Sequence, residues 1–110
     1  MGLFSRLFRK EDIASKRYRL EYARKLDGKL LRYVTERFDD GEIVIGKDGH
    51  ITVKEDVISV YGGAELLFRC ACEEVVAAEL MSHDGVMLEG FDAVKQTPRK
   101  LVAHYKYYRK

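Results

Sequence analysis

The residues of this 110-residue chain that are best suited to chemistry are three histidines and two cysteines: His50, His83, His104, Cys70 and Cys72. Imidazole titrates near neutral pH and ligates zinc when it is neutral, and a thiolate is both a nucleophile and a metal ligand. The histidines are isolated from one another, and no Ser, Thr or Cys stands in a recognisable nucleophile motif. The sequence therefore assigns no catalytic residue, and an enzyme is the least favoured class of function.

Cys70 and Cys72 are two residues apart, so on an extended chain both side chains point to the same face. Zinc sites more often use cysteines spaced by two to four residues, and the second half of such a site is missing here. We predict that the pair is reduced and buried in a strand as small hydrophobic residues. No metal and no other cofactor is expected.

Two further clusters invite a functional interpretation. The run Gly46-Lys47-Asp48-Gly49 lacks the additional glycine and the helix start of a phosphate-binding loop, so a turn is predicted there. Glu73, Glu74 and Glu79 form an acidic cluster with no partner motif, which is typical of a solvated face. Neither cluster receives a catalytic role.

Charge is segregated along the chain although the net charge is only +2. Residues 1–37 are basic, with eleven Lys or Arg and five Asp or Glu. Residues 38–95 are acidic, with four Lys or Arg and thirteen Asp or Glu. Residues 96–110 are basic again, with five Lys or Arg and no Asp or Glu. Such asymmetry can mark a surface for nucleic acid or for an anionic membrane. We favour the alternative that the basic ends fold against the acidic middle of the same chain or of another copy.

The C-terminus interleaves basic and aromatic residues, as surfaces that bind single-stranded nucleic acid do. The same residue types also suit an ordinary edge strand, because Tyr is common in sheets and Lys on their edges. Binding of single-stranded nucleic acid or another anionic surface is therefore a second hypothesis. Its predicted residues are Arg99, Lys100, His104, Lys106, Tyr108 and Arg109.

The N-terminus is a short basic amphipathic segment, residues 3–10, in which Leu3, Phe4, Leu7 and Phe8 alternate with Arg6, Arg9 and Lys10. A myristoylation signal would need Ser or Thr where Arg6 stands. The segment can lie on an anionic membrane or dock on a protein, and we expect docking on the sheet of this chain or of a copy. The predicted interaction surface is Phe4, Phe8, Tyr18 and Tyr22.

Apolar residues recur at steps of three and four from Phe4 to Leu26, which predicts an N-terminal helix that ends at Gly28. The pair Asp27-Gly28 would also suit a two-residue hairpin turn, so residues 17–38 have two interpretations. We favour a helix followed by a strand, because residues 30–38 are rich in residues that suit strands.

Short runs rich in β-branched residues follow, and their alternation predicts strands at 41–45, 50–53, 57–61, 65–72, 85–91 and 101–108, with a loop at 92–100. Residues 73–81 suit a short helix or a strand, and the helix is preferred. The predicted fold class is α+β. An N-terminal helix packs on a largely antiparallel meander of six or seven short strands, curled or barrel-like, with one short helix inserted after Cys72.

A chain of this length fits one domain over residues 1–110, with residues 1–10 as an amphipathic extension. No apolar run reaches the roughly 20 residues of a membrane-spanning helix, and no signal peptide is visible, so a cytoplasmic location is expected. The predicted function is a non-enzymatic interaction module that self-associates or binds another protein. Its specific role is not readable from the residues.

Overall fold

The computed structural model of the chain describes residues 17–106. They form a helix, α1, over residues 17–25, followed by seven strands. These are β1 (Leu30–Phe38), β2 (Gly41–Lys54), β3 (Val57–Gly62), β4 (Glu65–Ala71), β5 (Val76–Glu79), β6 (Gly85–Asp92) and β7 (Thr97–Tyr105). In the part of the chain described, no helix is long and apolar enough to cross a bilayer.

All seven strands lie in one antiparallel sheet with the order β4-β3-β2-β1-β7-β6-β5. The predicted meander is thus two meanders, β1 to β4 and β5 to β7, joined where the first strand pairs with the last. On these central strands, Leu31, Val34, Leu101 and Ala103 are fully buried and form part of the core. Strand alternation places Tyr105 on the same face as Leu101 and Ala103.

Residues 17–38 form a helix and then a strand, so the hairpin alternative is not what the chain adopts. Gly28 has a φ of 86°, a conformation that glycine adopts without strain, and its N–H donates to the carbonyl of Ile51 at 2.8 Å. Asp27 accepts a hydrogen bond from the N–H of Val53 at 2.8 Å. These contacts fasten the end of α1 to β2. The part of the predicted helix before Arg17 lies outside the described residues.

The predicted turn at Gly46–Gly49 is wrong, because β2 runs without interruption from Gly41 to Lys54. Gly46 and Gly49 instead allow neighbouring residues to lie close to the backbone of β2. A Cβ on Gly46 would lie 2.6 Å from Cδ1 of Leu67, and a Cβ on Gly49 would fall on the carbonyl oxygen of Tyr61. The strand is irregular here, with a register shift against β1 and a φ of 53° at Asp48.

The predicted helix after Cys72 is also wrong. Residues 72–74 form a turn in which the N–H groups of Glu74 and Val75 donate to the carbonyl of Ala71, and β5 comes next. Val75 is fully buried, and β5 pairs with β6 from Val76 opposite Glu89 to Glu79 opposite Val86. Pairing with β6 therefore decides between the two conformations that the local sequence allows.

The predicted loop at 92–100 is shorter than expected, since residues 93–96 form the turn and β7 begins at Thr97. Pro98 lies in the second position of β7, opposite Phe91. A proline near the start of a strand removes only a terminal ladder hydrogen bond, which explains why the strand tolerates it.

The sheet curls until the free edge of β4 reaches the turn between β6 and β7. The N–H of Ala93 donates to the carbonyl of Arg69 at 2.8 Å, and the N–H of Arg69 donates to Asp92 at 2.9 Å. Edge-strand groups that would otherwise face solvent are thereby satisfied. The closure brings β4 to the end of the sheet where β1 and β6 end and β7 begins.

Candidate functional site

Arg99 is the centre of a buried ion network at that end of the sheet. It shares a face of β7 with Leu101, and its guanidinium spans three elements. Nη1 lies 2.6 Å from Asp92 Oδ2 and donates to the carbonyl of Leu67 at 2.8 Å. Nε and Nη2 donate to the two carboxylate oxygens of Glu36 at 3.0 and 2.6 Å. The side chain of Arg99 is only 4% exposed.

Asp92 is held as a carboxylate inside this network. Burial alone would raise its pKa, but hydrogen bonds from the N–H of Arg69, from Arg99 and from the N–H groups of Val94 and Lys95 together lower it. The hydrogen bond and charge of Arg99 likewise lower the pKa of Glu36. Because both acids stay ionised near neutral pH, the network suits a structural clamp rather than proton transfer.

A groove lies beside the network where β1 and β6 end and β7 begins, and we call it the end groove. It has a volume of about 680 Å³. Its apolar wall includes three partly exposed side chains, Phe38 (46%), Phe91 (51%) and Val76 (41%). Exposed apolar side chains that cluster beside a concave surface are typical of interaction sites. Its other lining residues are Glu36, Arg37, Asp39, Glu74, Glu89, Gly90, Pro98, Arg99 and Lys100.

The end groove has an excess of negative charge. Of its cations, Arg37 pairs with Glu42 at 2.8 Å, and Lys100 lies 3.9 Å from Glu89. Asp39 and Glu74 take part in no ion pair within residues 17–106. The groove therefore offers acidic groups that a cationic partner could neutralise.

The predicted basic and aromatic surface is divided by the fold. Arg99 is buried in the network, whereas Lys100 and His104 lie on the opposite face of β7. The ring of His104 stacks on Tyr33 at 4.3 Å, and burial lowers its pKa. Lys106 lies 4.0 Å from Asp48. Tyr108 and Arg109 lie outside the described residues.

Half of the predicted interaction surface is in the described region. Tyr18 is 63% exposed, and its ring lies 6.1 Å from that of Tyr22. Tyr22 packs against the core, and burial, with the nearby carboxylate of Glu79, raises its pKa. The two tyrosines thus share a face of α1. Phe4 and Phe8 lie outside the described residues.

Some residues of the basic ends form ion pairs with the acidic middle of the chain. Arg24, from the basic start, binds Asp56 of the acidic middle at 2.9 Å. The pairs that Lys100 and Lys106 make with Glu89 and Asp48 join the basic end to the same middle region. For these residues, the basic ends pair with the acidic middle of the same chain, which is one of the two arrangements expected.

The histidines and cysteines are scattered. His50 stacks on Tyr61 at 4.7 Å, and His83 lies 3.3 Å from Glu79. Cys70 and Cys72 are both buried, on the face predicted for them, and burial raises the pKa of Cys70 to about 11. Between residues 17 and 106, no three His, Cys, Asp or Glu side chains converge on a point that could hold a metal ion.

Sequence reasoning did not identify Glu36, Asp92, Phe38 or Phe91 as site residues. One local signal existed for Asp92, because Asp often accepts hydrogen bonds from the N–H groups two and three residues on and so begins a turn. Asp92 bonds to Val94 and Lys95 in this way. The others depend on pairing between distant strands.

Comparison of the chain with protein-family models, with curated proteins and with solved structures finds no match.

Proposed function

We propose that this chain is a self-associating interaction module, in which the basic amphipathic segment of one copy (residues 3–10) occupies the end groove of another. The observation that carries the proposal is the groove itself. Phe38, Phe91 and Val76 are partly exposed there, beside Asp39 and Glu74, which have no ion-pair partner among the described residues.

The segment and the groove are complementary in chemistry. The segment combines Leu and Phe side chains with Arg6, Arg9 and Lys10, and it has no acidic residue. Aromatic anchors that fill an apolar pocket supply most of the free energy of a typical interface. Charges on the rim contribute specificity and association rate. The apolar wall of the groove would bind the aromatic side chains of the segment. Asp39 and Glu74 would pair with its basic side chains.

A second copy is the occupant that we infer. Reciprocal exchange of two segments between two chains produces two identical contacts in one closed dimer, and closed twofold dimers are the commonest homo-oligomers. The same complementarity would allow a segment to bind the groove of its own chain. Mixing two variants with opposite charge reversals distinguishes binding between two chains from binding within one chain.

The decisive experiment reverses one charge on each side of the contact. Glu74→Arg in the groove and Arg9→Glu in the segment should each weaken the dimer at least tenfold, as measured by sedimentation equilibrium. An equimolar mixture should dimerise again, because both contacts of the mixed dimer join opposite charges. One contact is the wild-type pair of position 9 with position 74, and the other is the same pair with its charges reversed. Glu65→Arg, at an exposed position outside the groove, is the control and should leave the dimer unchanged.

A second pair of variants tests the apolar wall. Phe91→Ala should weaken the dimer about tenfold, whereas Val94→Ala, exposed in the nearby turn but not lining the groove, should not. Raising the salt concentration from about 0.05 to 0.5 M should raise the dissociation constant of the wild type, because screening weakens exposed charge pairs.

Two results would overturn the proposal. One is a wild-type chain that remains monomeric at high protein concentration and at every salt concentration. The other is a dimer in which the mixed charge variants do not restore association. A monomer that is retained on single-stranded DNA or RNA at low salt would instead support the nucleic-acid hypothesis.

A further inference from the structure

A second groove, which we call the side groove, lies on the outer face of β2, β3 and β4, on the opposite side of the sheet from the core. It has a volume of about 450 Å³. Six of the side chains that line it carry hydrogen-bond donors: His50, Thr52, Lys54, Ser59, Tyr61 and Arg69. Glu55, in the turn between β2 and β3, is the acidic residue among those that line it.

The strand register aligns these donors in rows across the sheet. Thr52 pairs with Ser59, and Ser59 pairs with Arg69, so these three side chains form one row on one face. His50 and Tyr61 form the next row on one side. Lys54 lies in the row on the other side. Directly opposed side chains on neighbouring strands are about 5 Å apart, which is close enough for several donors to contact one small anion.

Arg69 is oriented within this groove by a buried hydroxyl. Its Nε donates to Oγ of Ser59 at 3.2 Å, and Ser59 is only 5% exposed. The Nη1 and Nη2 groups of Arg69 and the ammonium of Lys54 make no hydrogen bond or ion pair to side chains within residues 17–106. The groove therefore contains two cations whose donors are available to a ligand.

From this geometry we infer that the side groove is a binding site for a phosphate group, held by Arg69 and Lys54 with the hydroxyls of Ser59 and Thr52. A guanidinium offers a planar fork that matches two phosphate oxygens, and Lys adds a compact positive charge. The phosphate can be free in solution or carried by a small organic molecule. The parallel rings of His50 and Tyr61, with centroids 4.7 Å apart, would lie beside such a molecule.

This inference is independent of self-association, because the side groove and the end groove share no residue. The test uses the full chain labelled with ¹⁵N and a titration with inorganic phosphate against sodium chloride of equal ionic strength. The side-chain Nε–H signal of Arg69 and the backbone amides of β2 to β4 should shift and saturate with a millimolar or tighter dissociation constant.

Matched variants assign the shifts to the side groove. Arg69→Gln and Lys54→Gln should each weaken phosphate binding at least tenfold, and both positions are exposed, so the fold should persist. Lys95→Gln, an exposed cation outside the groove, should leave binding unchanged.

Adenosine 5′-monophosphate and ribose 5-phosphate, titrated in parallel, distinguish the sources of the phosphate. Tighter binding of the first would indicate an ester with a flat ring, and equal affinities would indicate the phosphate group alone.

The inference fails if no saturable shift occurs with up to about 50 mM phosphate, a concentration well above a millimolar dissociation constant. It also fails if sodium chloride reproduces the shifts, or if Lys95→Gln weakens binding as much as Arg69→Gln. Either result would indicate general screening of surface charge rather than a site.

Discussion

Arg99 and Asp92 form an ion pair with 2.6 Å between Nη1 and Oδ2, and Asp92 is completely removed from solvent. The pair joins the end of β6 to the start of β7, and Glu36 extends it to β1. A buried ion pair contributes less than its short distance suggests, because both charges lose their hydration. Removing one partner is nevertheless costly, because the other charge then stays buried without compensation.

Replacement of Arg99 should destabilise the fold strongly. Arg99→Met would leave Asp92 and Glu36 without their cation, and a buried charge without a partner costs about 3–5 kcal/mol. Urea unfolding measures the loss. Arg37→Met is the control, because its ion pair with Glu42 is exposed and such pairs contribute about 0–1 kcal/mol. Equal stability of Arg99→Met and the wild type would contradict a role for the network in the fold.

Stability should depend on pH through the same acids. The pKa values of Glu36 and Asp92 are lowered in the folded chain from ordinary values of 4.5 and 3.8. The stability that they contribute is therefore complete above those ordinary values and is lost as the pH falls through the lowered ones. Urea midpoints should fall progressively below about pH 4.5.

The Arg99→Met variant provides the control for this pH dependence. Without the guanidinium, the pKa of Glu36 should return toward its ordinary value, since the hydrogen bond from Arg99 is the main cause of its lowering. The variant should lose less stability than the wild type between neutral and acidic pH. Identical pH profiles would show that the network does not govern the acid sensitivity.

The cysteines should be unreactive in the folded protein. Burial raises the pKa of Cys70 to about 11 and also raises that of Cys72, so little thiolate forms near neutral pH. A chromogenic disulfide reagent should modify both only after unfolding. Cys70→Ser should destabilise the fold by about 1–3 kcal/mol, because it buries a hydroxyl without a partner. Rapid reaction in native buffer, or stoichiometric zinc in the purified protein, would refute this interpretation of the pair.

Gly46 and Gly49, the two glycines of β2 that neighbouring atoms approach closely, should respond differently to substitution. A Cβ at Gly49 would collide with the backbone carbonyl of Tyr61, whereas a Cβ at Gly46 would meet the movable end of Leu67. Gly49→Ala should therefore cost about 3 kcal/mol or more, and Gly46→Ala about 1–2 kcal/mol. Chemical unfolding of the two variants tests the order, and a reversed order would mean that β2 does not approach Tyr61 closely at Gly49.

The sequence by itself determined those features that depend on neighbouring residues. Residues that suit strands identified β1 at residues 30–38. The two-residue spacing of Cys70 and Cys72 identified their shared buried face, because successive strand residues point to opposite sides. The tendency of glycine to adopt positive φ located the end of α1 at Gly28. These local preferences account for a largely antiparallel sheet of short strands, although not for the continuous β2 or for β5.

Only the tertiary structure decided the features that depend on partners distant in sequence. Gly46 and Gly49 look like turn residues until Tyr61 and Leu67 are placed against them, and then the same glycines permit a continuous strand. Arg99 looks like part of a basic surface until strand pairing brings Glu36 to it across 63 residues. Its burial is possible because two carboxylates and a backbone carbonyl replace the water that a guanidinium otherwise requires.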